Sequence, residues 1–95
     1  MSLRVGLLSI ELFLPDAQSL KDKRMVVRAV KDRLKKFNVS VAEVEHQQLW
    51  QRAGLGIVSI SNTAELVDKM LDGALDEIER VQPGVITRAQ REWLA

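Results

Sequence analysis

The chain has 95 residues, 46% of them hydrophobic and 28% charged, with a net charge of +1, enough for one small domain around one core. It holds no cysteine, which excludes a disulfide framework, a thiolate nucleophile and a cysteine-based metal site. No apolar run approaches the roughly 20 residues of a membrane span, and no charged segment precedes an apolar stretch as in a signal peptide, so a cytoplasmic protein without membrane contact is expected.

Leu3 to Phe13 predicts a first strand. Leu8, Ile10 and Leu12 alternate onto one face, with Val5, Leu7, Ser9, Glu11 and Phe13 on the other. Pro15, which has no N–H for a ladder, ends it. Ser19 to Phe37 predicts a helix, with Ser19 as N-cap and Asp22 as its short-armed capping-box partner. Leu20, Val27, Val30, Leu34 and Phe37 fall at helical spacing, with Val26 beside them. The other faces are basic. Asn38 is expected to close the helix in the left-handed conformation.

Two runs rich in β-branched residues follow. Val39, Val41, Glu43 and Glu45 share one face of the first; in the second, Leu55, Ile57 and Ser59 oppose Gly56, Val58 and Ile60. His46 to Arg52 joins them without an Asn-Gly or Asp-Gly turn, and has room for a helical turn over Gln47–Trp50. Asn62 and Glu65 predict the N-terminus of a second helix, whose apolar stripe is Val67, Met70, Leu71, Ala74, Leu75, Ile78 and Val81. Pro83-Gly84 stops it. Val85 to Leu94 alternates like a strand, yet AQREWLA is also good helix material; a strand is expected for its first half.

The order βαββαβ is that of an α+β, ferredoxin-like sandwich over residues 3–94 as a single domain. Right-handed crossovers give a four-stranded antiparallel sheet in the order 4-1-3-2, with two helices on one face. If Leu8, Ile10, Val44, Val58 and Ile60 face the helices, the open face shows Val5, Leu7, Val41 and Ile57. That is more apolar surface than a monomer usually leaves uncovered. It points to a homo-oligomer, a dimer through the helix-free face or a sheet edge, unless the C-terminal segment with Trp93 and Leu94 folds over it.

Charge is unevenly divided. Residues 1–37 hold nine basic and four acidic side chains, residues 38–95 five basic and nine acidic. The first and second strands run the same way, so the start of the first helix and His46–Arg52 share one end of the domain. Lys21, Lys23 and Arg24 sit there, with Arg28 and Lys31 further along the helix; His46, Trp50 and Arg52 come from the connection. Cations in a first helical turn oppose the macrodipole by about 0.3–1 kcal/mol each, while free N–H groups there attract anions. These eight residues are therefore candidates for binding a nucleic-acid backbone.

Each has a plainer reading. The basic helix can pair with the acidic second helix, Trp50 can pack on a sheet edge, His46 can be a satisfied hydrogen-bonding residue, and Arg52 can pair with Glu43 or Glu45. An RNA-recognition motif stacks bases on sheet aromatics; Ser9, Glu11, Ile57 and Ser59 hold the corresponding places. No phosphate loop, zinc motif or nucleophile elbow is present. No catalytic residue, metal site or cofactor is expected, and the chain reads as a protein other than an enzyme.

SLKDKR at Ser19–Arg24, followed by FNVSVAEVEHQQLWQRAGLG at Phe37–Gly56, resembles the small bacterial domain of unknown function 503, the YlxP-like proteins. The resemblance covers about residues 3 to 82 and extends to Leu14-Pro15 and Ser61-Asn62. It implies a ferredoxin-like fold. Members are often encoded beside translation-initiation and ribosome-maturation factors, which implies RNA or ribosomal subunits as partners by association. No catalytic residue comes with it. The alternative is a homo-oligomeric protein-interaction module that binds no nucleic acid.

Overall fold

The computed structural model describes residues 2–95. Six elements follow in chain order: β1 (Arg4–Phe13), α1 (Leu20–Leu34), β2 (Ser40–Glu45), β3 (Arg52–Ser61), α2 (Ala64–Val81) and β4 (Ile86–Trp93). The strands form one antiparallel sheet, β2-β3-β1-β4, which is the expected 4-1-3-2 order seen from the other edge. α1 lies over β2 and β3, and α2 over β1 and β3.

Both helices begin on a hydroxyl. Ser19 Oγ accepts the Asp22 N–H at 3.0 Å, and Asp22 Oδ2 accepts the Gln18 N–H at 3.0 Å. α2 starts one residue beyond the expected cap. β3 runs on to Ser61 and leaves Asn62 to the turn, so Thr63 caps, its Oγ1 accepting the Leu66 N–H at 3.2 Å. Asn38 does not take the left-handed conformation. Its carbonyl accepts Ser59 Oγ at 2.7 Å and its Nδ2 donates to the Ile60 carbonyl at 3.0 Å, which ties it to β3. The left-handed non-glycine residue is His46, at φ 62°. His46–Arg52 holds no helical turn; the Leu49 N–H closes a tight turn on the His46 carbonyl at 3.0 Å. β4 is extended through the helix-prone AQREW because β1 offers it a free ladder from Gly6 to Leu12, and pairing overrides a local preference.

The core lies between sheet and helices. Leu8, Ile10 and Leu12 of β1 and Ala53, Leu55 and Ile57 of β3 are buried beneath Val27, Val30 and Leu34 of α1 and Val67, Leu71, Ala74 and Ile78 of α2. Leu8 stands opposite Ile57, and Ile57 opposite Val41. Val41 and Ile57 therefore face the helices, while Val58 and Ile60 lie on the open face, the reverse of the expected assignment. Alternation within β3 is as predicted; which side turns inward is set by its register with β1. Val44 lies out as well by the same alternation, and a bulge between Glu43 and Glu45 turns Glu45 out beside it, opposite Gly54. Trp93 stands opposite Gly6 on the helix side, with the Arg4 guanidinium 4.5 Å above its ring. The C-terminal segment thus leaves the open face uncovered.

Candidate nucleic-acid interface

The end of the domain predicted to gather α1 and the β2–β3 connection does so through one side chain. Lys23 falls on the same helical row as Val27, Val30 and Leu34, and is 1% exposed. Its Nζ donates to the carbonyls of His46 at 2.7 Å, Gln47 at 3.1 Å and Arg52 at 3.3 Å. The Glu43 carboxylate lies 2.9 Å away, although the contacting Oε2 accepts no well-directed hydrogen bond. Gln51 completes the closure, its Nε2 donating to the Pro15 carbonyl at 3.1 Å and its own carbonyl accepting the Leu14 N–H at 2.7 Å. Lys23 is thus the clip of the connection and has no surface to give a ligand.

His46 and Arg52 are also committed. His46 Nε2 lies 2.9 Å from Glu11 Oε1, and Arg52 Nη2 donates to both Glu11 oxygens at 3.3 Å. The hydrogen bond from His46, with the Arg52 charge beside it, holds the Glu11 carboxyl below its ordinary range. Arg52 thereby pairs with Glu11 rather than Glu43 or Glu45. Trp50 is 54% exposed. With Phe13, Leu49 and Arg52 it lines an open depression of about 390 Å³ at the end of the open sheet face.

Four of the eight candidates remain unpaired. Lys21, Arg24, Arg28 and Lys31 recur at intervals of three and four residues, so they line one flank of α1. Among the described residues none of the four makes an ion pair. The opposite flank carries Val26, which adjoins Gln82 and Val85 past the end of α2. The basic row therefore faces away from α2, above the β2 edge. Pairing with the acidic helix is limited to Lys36, whose Nζ is 3.0 Å from Glu77 Oε2. The candidates do not form one site. The row lies in the helix layer, while Trp50, His46 and Arg52 belong to the open face of the sheet.

Sequence reasoning left Glu11 and Phe13 out of this end, considered Glu43 only as a partner for Arg52, and placed Leu49 in the connection without a role. Glu43 was not readable from parity, because Val41, whose face it shares, was expected on the open side; the one signal was Lys23, a cation on the core row of α1 between Leu20 and Val27, which needs a partner in the seam. At the centre of the open face β1 and β3 present Leu7, Ser9, Gly56 and Val58, which replace Ile57 and Ser59 in the comparison with an RNA-recognition motif and again supply no aromatic platform. Among the described residues no three His, Asp or Glu side chains converge on one point, and no helix is long and apolar enough to cross a membrane.

Comparison with known proteins places the chain. A family model described as "Protein of unknown function (DUF503)" matches residues 5–91. The uncharacterized protein YlxP of Bacillus subtilis (strain 168) is 34% identical over 90 residues, which covers 94% of this chain and 98% of that protein. Among solved structures, the de novo designed protein Foldit4 superposes with a TM-score of 0.61 over 98% of this chain and 97% of its own, at 10% identity. That is a likeness of fold.

Proposed function

Given that the chain belongs to the DUF503 family of proteins of unknown function, we propose that it is a non-catalytic RNA-binding protein that grips the phosphate backbone with the outer flank of α1. One observation carries this reading: Lys21, Arg24, Arg28 and Lys31 form a row with no carboxylate partner among the described residues. Ten residues of helix place its ends about 15 Å apart, long enough to follow several phosphates. Arg gives bidentate contacts to phosphate and Lys a mobile point charge. The β2 edge beneath the row is itself open, so an approaching backbone meets no covering element.

Such contacts position RNA without reading bases, which favours structured RNA of the kind found in ribosomal subunits. Ribosomal particles are the natural first ligand to try. Full-length protein should sediment with a subunit or its precursor at low salt, and bind a ribosomal RNA helix with a log–log salt slope of about −3 to −4, as four neutralised phosphates require. Charge reversal of Lys21, Arg24, Arg28 and Lys31 to Glu should abolish both. Wild-type protein that stays in the free pool and shows no salt-dependent affinity for the helix would end this reading.

A further inference from the structure

The helix-free sheet face is the largest feature that RNA binding by α1 leaves unused. Among the described residues ten large hydrophobic side chains are exposed, and five of them, Phe13, Val44, Leu49, Trp50 and Ile60, gather on this face or at its end. Leu7, Val5 and Val58 join them half-buried. We propose that this face packs against the same face of a second copy, about a two-fold axis parallel to the strands between β1 and β3.

Cross-strand register selects the occupant and the axis. An isologous interface must be self-complementary, and rotation about this axis lays β3 over the partner's β1 and β2 over the partner's β4 at equal height. Glu45, Gly54, Glu11 and Arg88 form one transverse row, so Glu45 comes to lie over the partner's Arg88, and Arg88 over the partner's Glu45. A lower row is Ser40, Val58, Leu7 and Glu92, which sets Val58 on the partner's Leu7 at the centre. Ile60 and Val5 are paired and meet in the same way. At the other end Arg52 stands beside Phe13, and the rotation places Arg52 over the partner's Phe13 as a cation–π contact. A two-fold axis across the strands would set β2 on β2 and β4 on β4, and bring none of these opposite charges together.

Area is sufficient. Strands of 10, 6, 10 and 8 residues spaced about 4.8 Å apart present about 540 Å² per copy, or about 1,100 Å² for the pair, just above the roughly 1,000 Å² that a specific interface should clear. Tilting the axis by about 15° from the strands, which gives the crossing of about 30° usual for aligned sheets, displaces the edge residues by about one position, within reach of Glu and Arg. Both basic rows stay on the outside of such a dimer, one on each side.

A charge swap tests this. Sedimentation velocity of the full chain from low to high micromolar concentration should show a species of twice the 10.7 kDa chain mass. Glu45→Arg alone, and Arg88→Glu alone, should each weaken dimerisation at least about tenfold, because every dimer then holds two like-charged contacts. The double variant should recover most of the loss. Ile60→Lys, at a half-exposed position that the monomer tolerates, should abolish the dimer while leaving the circular dichroism spectrum intact. A wild-type chain that stays monomeric, or single swaps without effect, or a double variant no better than the singles, overturns the proposal and leaves the face to some other partner. None of these substitutions touches the α1 row, so RNA binding is scored separately.

Discussion

Lys23 Nζ stands 2.9 Å from Glu43 Oε2 across the seam between α1 and β2, in a side chain 1% exposed, while Arg24, the next residue, is free in solvent. Adjacent cations therefore do opposite work. Lys23→Met keeps the apolar stem but orphans a carboxylate and three carbonyls. It should cost about 3 kcal/mol of stability in urea denaturation, loosen amide protection over residues 46–52, and leave the salt slope of RNA binding unchanged. Arg24→Met should change stability by less than about 0.5 kcal/mol and lower the slope by about 1. If Lys23→Met lowered the slope and Arg24→Met did not, the split between clip and contact would be wrong.

Glu77 ties the acidic helix to the end of the basic segment. Arg80 donates to it at 3.0 and 2.7 Å and Lys36 lies 3.0 Å away, which lowers its carboxyl from 4.5 to about 2. A lowered folded-state pKa means stability present above the unfolded value and lost as pH falls through the folded one. The melting temperature of wild type should exceed that of Glu77→Gln at neutral pH. The gap should hold down to about pH 4.5, shrink below it, and close near pH 2. A gap independent of pH would show that the amide loses packing rather than charge.

Element order, strand order and both helix stripes were legible because they rest on period and punctuation: alternation in β1, the row Val27, Val30 and Leu34, and the stops at Pro15 and Pro83-Gly84. The inward face of β3 was not, because Val58 and Ile60 are as apolar as Leu55 and Ile57, and only pairing with Leu8 decides between them. The basic row was legible as residue types, but its separation from Trp50 was not. Whether a side chain at one end of a sandwich points into the helix layer or onto the open sheet depends on a bulge and on the left-handed turn at His46, where no glycine marks the position.

Gly73 in α2 inverts an ordinary expectation. Replacing a mid-helix glycine by alanine usually stabilises, by up to about 1 kcal/mol. Here a Cβ would stand 2.5 Å from Phe37 Cε1 and 3.2 Å from two more ring atoms, so the ring that seals the end of α1 must shift. Gly73→Ala should therefore destabilise wild type by about 1–2 kcal/mol and stabilise the Phe37→Ala background. Additive effects in a urea double-mutant cycle would show that the ring yields without cost.

Trp50 can report which face each partner uses. With Trp93→Phe the chain keeps a single indole, 54% exposed in the monomer. Face-to-face packing covers it, so dilution through the dimer equilibrium should shift its emission to the red, and Ile60→Lys should hold it red at every concentration. RNA bound along Lys21, Arg24, Arg28 and Lys31 lies on the other side of the sheet. At a protein concentration where the dimer is saturated, titration with a ribosomal RNA helix should raise anisotropy and leave the emission maximum in place. Quenching or a shift that tracks RNA saturation would mean that a base stacks on Trp50, and the interface would then have to be redrawn from the α1 flank to the open sheet face.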